Sequence, residues 1–205
     1  MDEPDRPARR ISSKGHHRRR QLVTAAGEVL LQHGFAAVSH RSVAEHAGLP
    51  LSATTYYFTS LDDLLAEALS ELADRWHDQA RAVIESLPAH LAGPHATADA
   101  IVSVATLAPV GDVTASPMAV LVLYERYLEA ARHPAQRGAV AIYDQQLDGL
   151  VAEILRRAGL ESDPTSARLV LAVVDGAIMR ALAEGRNHRK SVAEMLTPML
   201  ENLRT

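Results

Sequence analysis

The chain of 205 residues contains no cysteine, so it has nothing to oxidise into a disulfide and no thiol nucleophile. It also has no long apolar run. The longest, Met118–Tyr124 and Leu169–Val174, fall far short of the roughly 20 residues needed to cross a bilayer. No apolar stretch follows Met1, where a secretory signal would place one, and the expectation is a cytoplasmic protein without a membrane partner. The glycine-rich and serine-centred signatures of nucleotide-binding and hydrolytic enzymes are missing too: there is no Gly-x-Gly, no Walker loop and no Gly-x-Ser-x-Gly elbow. Of the ten histidines, His16 and His17 lie in a polar N-terminal stretch, while His90 and His95 flank a breaker and share no helix face. Neither an enzyme, nor a cofactor, nor a metal site is expected.

What is present is an ordinary globular composition, 47% hydrophobic and 22% charged, with enough chain for one large domain or two small ones. The net charge of −4 conceals segregation. Between Arg6 and Ser60 stand eight basic residues (Arg6, Arg9, Arg10, Lys14, Arg18, Arg19, Arg20 and Arg41) against Glu28 and Glu45, a net of +6 that leaves −10 for the remainder. A basic head on an acidic body is the distribution of a small nucleic-acid reader, although a solubilising basic tail would give the same sum.

Residues 1–15 offer almost nothing to bury and read as a flexible arm. From Arg18, Leu22, Ala25, Ala26, Val29 and Leu30 recur at helical spacing as far as Gly34. Ser39 can cap a short helix through Val43, Ala44 and Ala47 that Gly48 ends, and Pro50 opens a third running to about Phe58. A long helix capped by Ser60, with Asp62 and Asp63 in its first turn, should reach about Leu87. Further helices fit roughly 96–107, 117–132, 135–158, 165–184 and 190–203, separated by Pro94, the Pro109–Gly111 loop, Pro134, Gly159 with Pro164, and Gly185. The count is about nine helices and no strand: an all-α chain.

Two short helices joined through Gly48 form a helix-turn-helix pattern, with Val43, Ala44, Ala47 and Leu49 fixing the crossing. Periodicity alone leaves an ordinary helical hairpin equally open. The ordered set of motifs in Arg18–Leu65 resembles the DNA-binding domain of the TetR family: Gln21–Gly34 ending His33-Gly34-Phe35, the Ser39 cap, Arg41 followed by Val43-Ala44, Ala47-Gly48-Leu49, the cluster Tyr56-Tyr57-Phe58, and Ser60 before two acids and Leu64. The resemblance implies a DNA-binding domain over 16–62 and a helical effector-binding and dimerisation domain over 63–205. The function implied is that of a ligand-responsive transcriptional regulator, most often a repressor released from a palindromic operator. A non-enzymatic helical interaction module is the rival reading. One departure is Leu61, where many relatives carry a phosphate-contacting lysine.

The recognition helix Leu51-Ser52-Ala53-Thr54-Thr55-Tyr56-Tyr57 holds none of the Lys, Arg, Asn or Gln that read bases bidentately. Readout would rest on the hydroxyls of Ser52, Thr54, Thr55 and Tyr56 and on apolar contact from Leu51 or Ala53, with Tyr57 beside them. Phosphate neutralisation falls to Arg41, Lys14, Arg18, Arg19 and Arg20, and the Ser39 cap is also expected among the DNA-binding residues. In the body, a small apolar or aromatic effector would meet Trp76, Met118, Leu121, Tyr124, Glu125, Tyr143, Gln146, Asp175 and Met179, each of which could equally be core. Asp175 and Glu125 stand out, because a carboxylate in an apolar stretch is costly to bury alone; Arg126 or Arg180 could pair with either. The resemblance also implies a homodimer through the last two helices. Its face would come from Ala167–Leu182 with Met195, Leu196, Met199, Leu200 and Leu203, unless these residues are core within one chain.

Overall fold

The computed structural model describes residues 13–107, 117–160 and 162–202, and these divide into a head up to Glu71 and a body from Leu72 onward. All the regular structure described is helical. The expected Pro109–Gly111 loop and Leu203 lie outside the described residues.

In the head, α1 (Ser13–His33) buries Leu22, Val23, Ala25, Ala26, Val29 and Leu30 on one side. It starts earlier than the apolar periodicity indicates and takes Lys14 out of the expected arm. The reason is that its first two turns bury only Gly15, so apolar spacing carries no signal of them. Gly34, at φ 77°, stops it, and a 3₁₀ turn over Phe35–Ala37 leads to α2 (His40–His46). Ser39 caps α2 as its sequence position suggests. The Ser39 hydroxyl accepts from the Ser42 amide at 3.0 Å, and the Ser42 hydroxyl accepts from the Ser39 amide at 2.9 Å. Gly48, at φ 63°, then reverses the chain: its amide donates to Glu45 at 3.2 Å and the Leu49 amide reaches back to Ala44 at 2.9 Å. Such a left-handed stop suits a residue without Cβ. Helix α3 (Leu51–Tyr57) follows with Pro50 as its cap. The start of α4 (Leu61–Ser86) closes the head core through Leu64 and Ala68, with the Ser60 hydroxyl accepting from the Asp63 amide at 3.1 Å.

The body holds the rest of α4 with α5 (Gly93–Thr106), α6 (Pro117–Arg132), α7 (Arg137–Arg157), α8 (Pro164–Ala183) and α9 (His188–Asn202). Its central element is α5, buried at Thr97, Ala98 and every position from Ala100 to Thr106. Its small Ala, Ser, Thr and Val side chains let neighbouring helices approach it closely. Arg189, buried near the start of α9, donates to the Thr106 hydroxyl at 2.7 Å and to Ser103 at 2.9 Å. Arg157 donates to the carbonyls of Ile84 (2.9 Å) and Leu87 (3.1 Å) where α4 ends, the first of which also accepts from the Leu87 amide. No helix among the described residues is long and apolar enough to cross a membrane.

Candidate nucleic-acid interface and ligand pocket

The α2–turn–α3 unit displays one continuous outward face of mixed hydroxyl, aromatic and apolar side chains. Leu51 (52% exposed), Ser52, Thr55 and Tyr56 (61% exposed) point outward from α3, with Ala53 and Tyr57 half-buried at the margins. The Tyr56 and Tyr57 rings meet edge to face with centroids 4.8 Å apart, which limits the directions Tyr56 can take. Thr54 corrects the sequence reading. It is fully buried, and its hydroxyl donates to the Leu51 carbonyl at 2.7 Å, so it serves the helix and cannot reach a base.

The cations separate in the same way. Arg41 is exposed on α2 and paired with Glu45 at 2.8 Å, a surface pair easily exchanged for a phosphate. Lys14, Arg18 and Arg20 are exposed on α1. Arg19, expected on DNA, instead donates through both terminal nitrogens to the Glu67 carboxylate and stacks over the Phe58 ring, 4.9 Å from its centroid. Successive helical residues point about 100° apart, so one arginine of three turns inward. Ser39 is exposed, with its hydroxyl committed to the cap.

Within the body, a half-open cavity of about 720 Å³ lies between α7 and α8. Asp144, Leu147, Asp148, Arg168, Leu171 and Asp175 are on its wall. Of the nine residues the sequence suggested for a ligand, only Asp175 lines it. Trp76 and Tyr143 are buried, their rings 6.2 Å apart, around a residue read from sequence merely as a possible partner: Arg126. Its guanidinium, on a residue 4% exposed, sits 3.9 Å from the Tyr143 centroid, 4.9 Å from Tyr127 and 5.6 Å from Trp76. It pairs with Asp144 at 3.3 Å, which also accepts from the Tyr127 hydroxyl at 2.7 Å. Asp175 pairs with neither Arg126 nor Arg180; it accepts from the buried Tyr124 hydroxyl at 2.9 Å, while Arg180 lies 3.6 Å from Glu184.

Met118, Leu121 and Glu125 are half-buried on α6, one Glu125 oxygen being buried without a partner, and Gln146 and Met179 are exposed. Asp148 and Arg168 pair across α7 and α8 at 2.9 Å. Sequence spacing gave no sign of Tyr127, Asp144, Asp148 or Arg168, because their partners lie on other helices.

Burial raises the carboxyls of Asp144 and Asp175 above the usual range, against the hydrogen bonds they accept. Burial, followed by the charge of Asp175, pushes the Tyr124 hydroxyl up, and burial carries Tyr143 up to about 12. Around neutrality both hydroxyls therefore keep their protons, and that of Tyr124 donates to Asp175. Among the described residues, no three of His, Cys, Asp and Glu are placed to share a metal ion.

A helix-turn-helix head with an outward hydroxyl and aromatic face, joined in one chain to a helical body with a cavity, defines the class of DNA-binding regulators that respond to a ligand. Residues 22–68 match the family model described as bacterial regulatory proteins of the tetR family, and residues 92–202 match the tetracyclin repressor-like C-terminal domain. The chain belongs to the TetR family of transcriptional regulators.

Among its relatives, the HTH-type transcriptional regulator PksA of Bacillus subtilis (strain 168) is 37% identical over 73 residues, 35% of this chain and 36% of that one. The match thus spans about a third of PksA. The HTH-type transcriptional regulator BetI of Agrobacterium fabrum (strain C58 / ATCC 33970) is 29% identical over 165 residues, 80% of this chain and 76% of that one. The crystal structure of the multidrug binding protein EbrR complexed with ethidium is 34% identical with a TM-score of 0.63, covering 88% of this chain and 96% of the other.

Proposed function

We propose that this regulator represses transcription by holding a palindromic operator as a homodimer, and releases it when a small aromatic, largely apolar molecule enters the body. It acts by binding rather than catalysis, in the cytoplasm. The observation that carries the reading is the outward face of α3, where Leu51, Ser52, Thr55 and Tyr56 stand clear of the core. Leu51, Ser52, Ala53, Thr55, Tyr56 and Tyr57 would face the major groove, while Arg41, Lys14, Arg18 and Arg20 take phosphates beside the Ser39 turn. With no bidentate reader on α3, each base contact discriminates modestly, and specificity comes from repetition across two half-sites.

Leu169, Met179 and Met195 on α8 and α9 are exposed at 62%, 43% and 46%, which supports a dimer through these two helices. Leu196 and Leu200, once expected in that interface, are fully buried within the chain and belong to its own core. The cavity between α7 and α8 is the effector site this reading requires. That the effector is a small aromatic molecule is supported by EbrR, a relative whose structures are complexes with proflavin, malachite green and ethidium. An effector shifts DNA affinity only through unequal affinity for the DNA-competent and released arrangements.

Selection of bound duplexes from a random library, followed by a screen for compounds that release the selected site, tests the proposal. The expected result is an inverted repeat whose affinity exceeds that for random DNA and falls steeply with salt. Equal affinity for selected and random DNA at every salt concentration would refute it and favour a protein-interaction module.

A further inference from the structure

The cavity wall carries three carboxylates and fewer cations. Asp148 is matched by Arg168 at 2.9 Å, and Asp144 by Arg126 at 3.3 Å. Asp175 has neither: its partner is the Tyr124 hydroxyl, and no Lys or Arg nitrogen among the described residues lies within ion-pair distance of it. Arg126 makes its ion pair with Asp144 and acts on Asp175 only from beyond ion-pair distance. Of the three acids, Asp175 alone makes no ion pair within the described residues, and its side chain borders open space.

Beside Gln145, the wall is completed by Ala141, Leu147, Leu171, Ala172 and other apolar residues, which suit a hydrocarbon or aromatic frame.

We propose that the molecule recognised in this cavity is a cation on an apolar frame, an amine, quaternary ammonium or amidine type, whose positive charge is held by Asp175. The proposal rests on the α7–α8 cavity being the effector site and adds the charge of its occupant. An ion pair made in this half-enclosed setting is stronger than one on the open surface, and the Tyr124 hydroxyl aims the carboxylate that makes it. A neutral aromatic compound would fill the same space without that pair, and an anionic one would be repelled.

The test uses the full-length protein without DNA and two fluorescent probes, the cation ethidium and the neutral N-phenyl-1-naphthylamine. Both should bind the unaltered protein. Asp175→Asn keeps an acceptor for Tyr124; it should weaken ethidium by about tenfold or more, as expected when one partner of a partly buried pair is neutralised, and leave the naphthylamine unchanged. Asp148→Asn, whose charge Arg168 already offsets, should change ethidium by much less.

Gly149→Leu guards against a folding defect in Asp175→Asn. Gly149 lines the cavity within α7, and a Cβ there meets nothing within 4 Å, so the added side chain fills the space and weakens both probes without unfolding the helix. Three results would overturn the proposal: ethidium binding indifferent to Asp175→Asn, an equal loss in Asp148→Asn, or ethidium binding indifferent to Gly149→Leu. Naphthylamine binding without ethidium binding refutes the cation and keeps the cavity; binding of neither probe refutes the effector site as well.

Discussion

Replacing Arg126 with methionine should be among the most damaging single changes in the body. The side chain is 4% exposed, is the ion-pair partner of Asp144 at 3.3 Å and lies within 6 Å of three aromatic centroids. Methionine refills most of the volume, so the loss is chiefly electrostatic. Breaking a fully buried pair costs about 3–5 kcal/mol, since the surviving charge is stranded. Here Asp144 is 39% exposed at its side chain and keeps the Tyr127 hydroxyl, which lowers that share. With the cation–π contacts added back, the net loss should be about 2–4 kcal/mol. For a chain of this length that lowers Tm by roughly 4–16 °C.

Urea unfolding at a single protein concentration measures it, because subunit association would otherwise shift the midpoint. Arg126→Met combined with Asp144→Asn should recover part of the loss, the stranded charge being gone. The deficit should also shrink in acid. Without the guanidinium, the folded-state pKa of Asp144, already raised, climbs further, so the folded variant takes up protons more readily than the unfolded chain. Its stability relative to the parent therefore rises as pH falls from that value toward the ordinary carboxylate range. A loss below about 1 kcal/mol, or strict additivity in the double variant, would refute the view of Arg126 as a buried charge held by its cage and by Asp144.

The head separates readers from braces. Tyr56→Ala and Arg41→Ala should each weaken operator binding with dimerisation intact by gel filtration; loss of the dimer in either would contradict the assignment. Arg18→Ala and Arg20→Ala should flatten the dependence of log affinity on log salt, by about 0.9 per phosphate contact removed, without altering the urea midpoint. Arg19→Ala should do the reverse and cost about 1–2 kcal/mol of stability, since it loses both Glu67 and the Phe58 stack. In the body, Arg157→Ala removes two charged hydrogen bonds, both from one guanidinium nitrogen, to the carbonyls at the end of α4 and should cost about 1.5–3 kcal/mol, read by thermal unfolding. Arg156 and Arg157 hold the Glu153 carboxyl down at about 2, so Glu153 still orients Arg157 at pH 4 and this loss should persist there.

How far the sequence could be read depended on whether a feature is local. Capping and termination are local: Ser39, Gly48, Pro50 and Ser60 mark the head helices because each satisfies or interrupts backbone hydrogen bonds within a turn of itself. The same holds for α6, whose observed limits of Pro117 and Arg132 follow from its flanking breakers. Which way a residue faces is only partly local. Thr54 lies about 200° around α3 from Tyr56, so an outward Tyr56 turns Thr54 to the core, and its hydroxyl could have been discounted from spacing once one residue's direction was known.

The ligand site is not local at all. Arg126 meets Asp144 and Tyr124 meets Asp175 because α6, α7 and α8 pack at one particular rotation, and a shift of a single residue in any of them would pair different side chains. Composition could suggest that a carboxylate in an apolar stretch needs a partner, and Asp175 was noticed for that reason. Packing supplied a hydroxyl instead of a cation. A neutral donor orients a carboxylate without cancelling its charge, so Asp175 keeps its capacity to attract a positive group where Asp144 and Asp148 have spent theirs on arginines of the same chain.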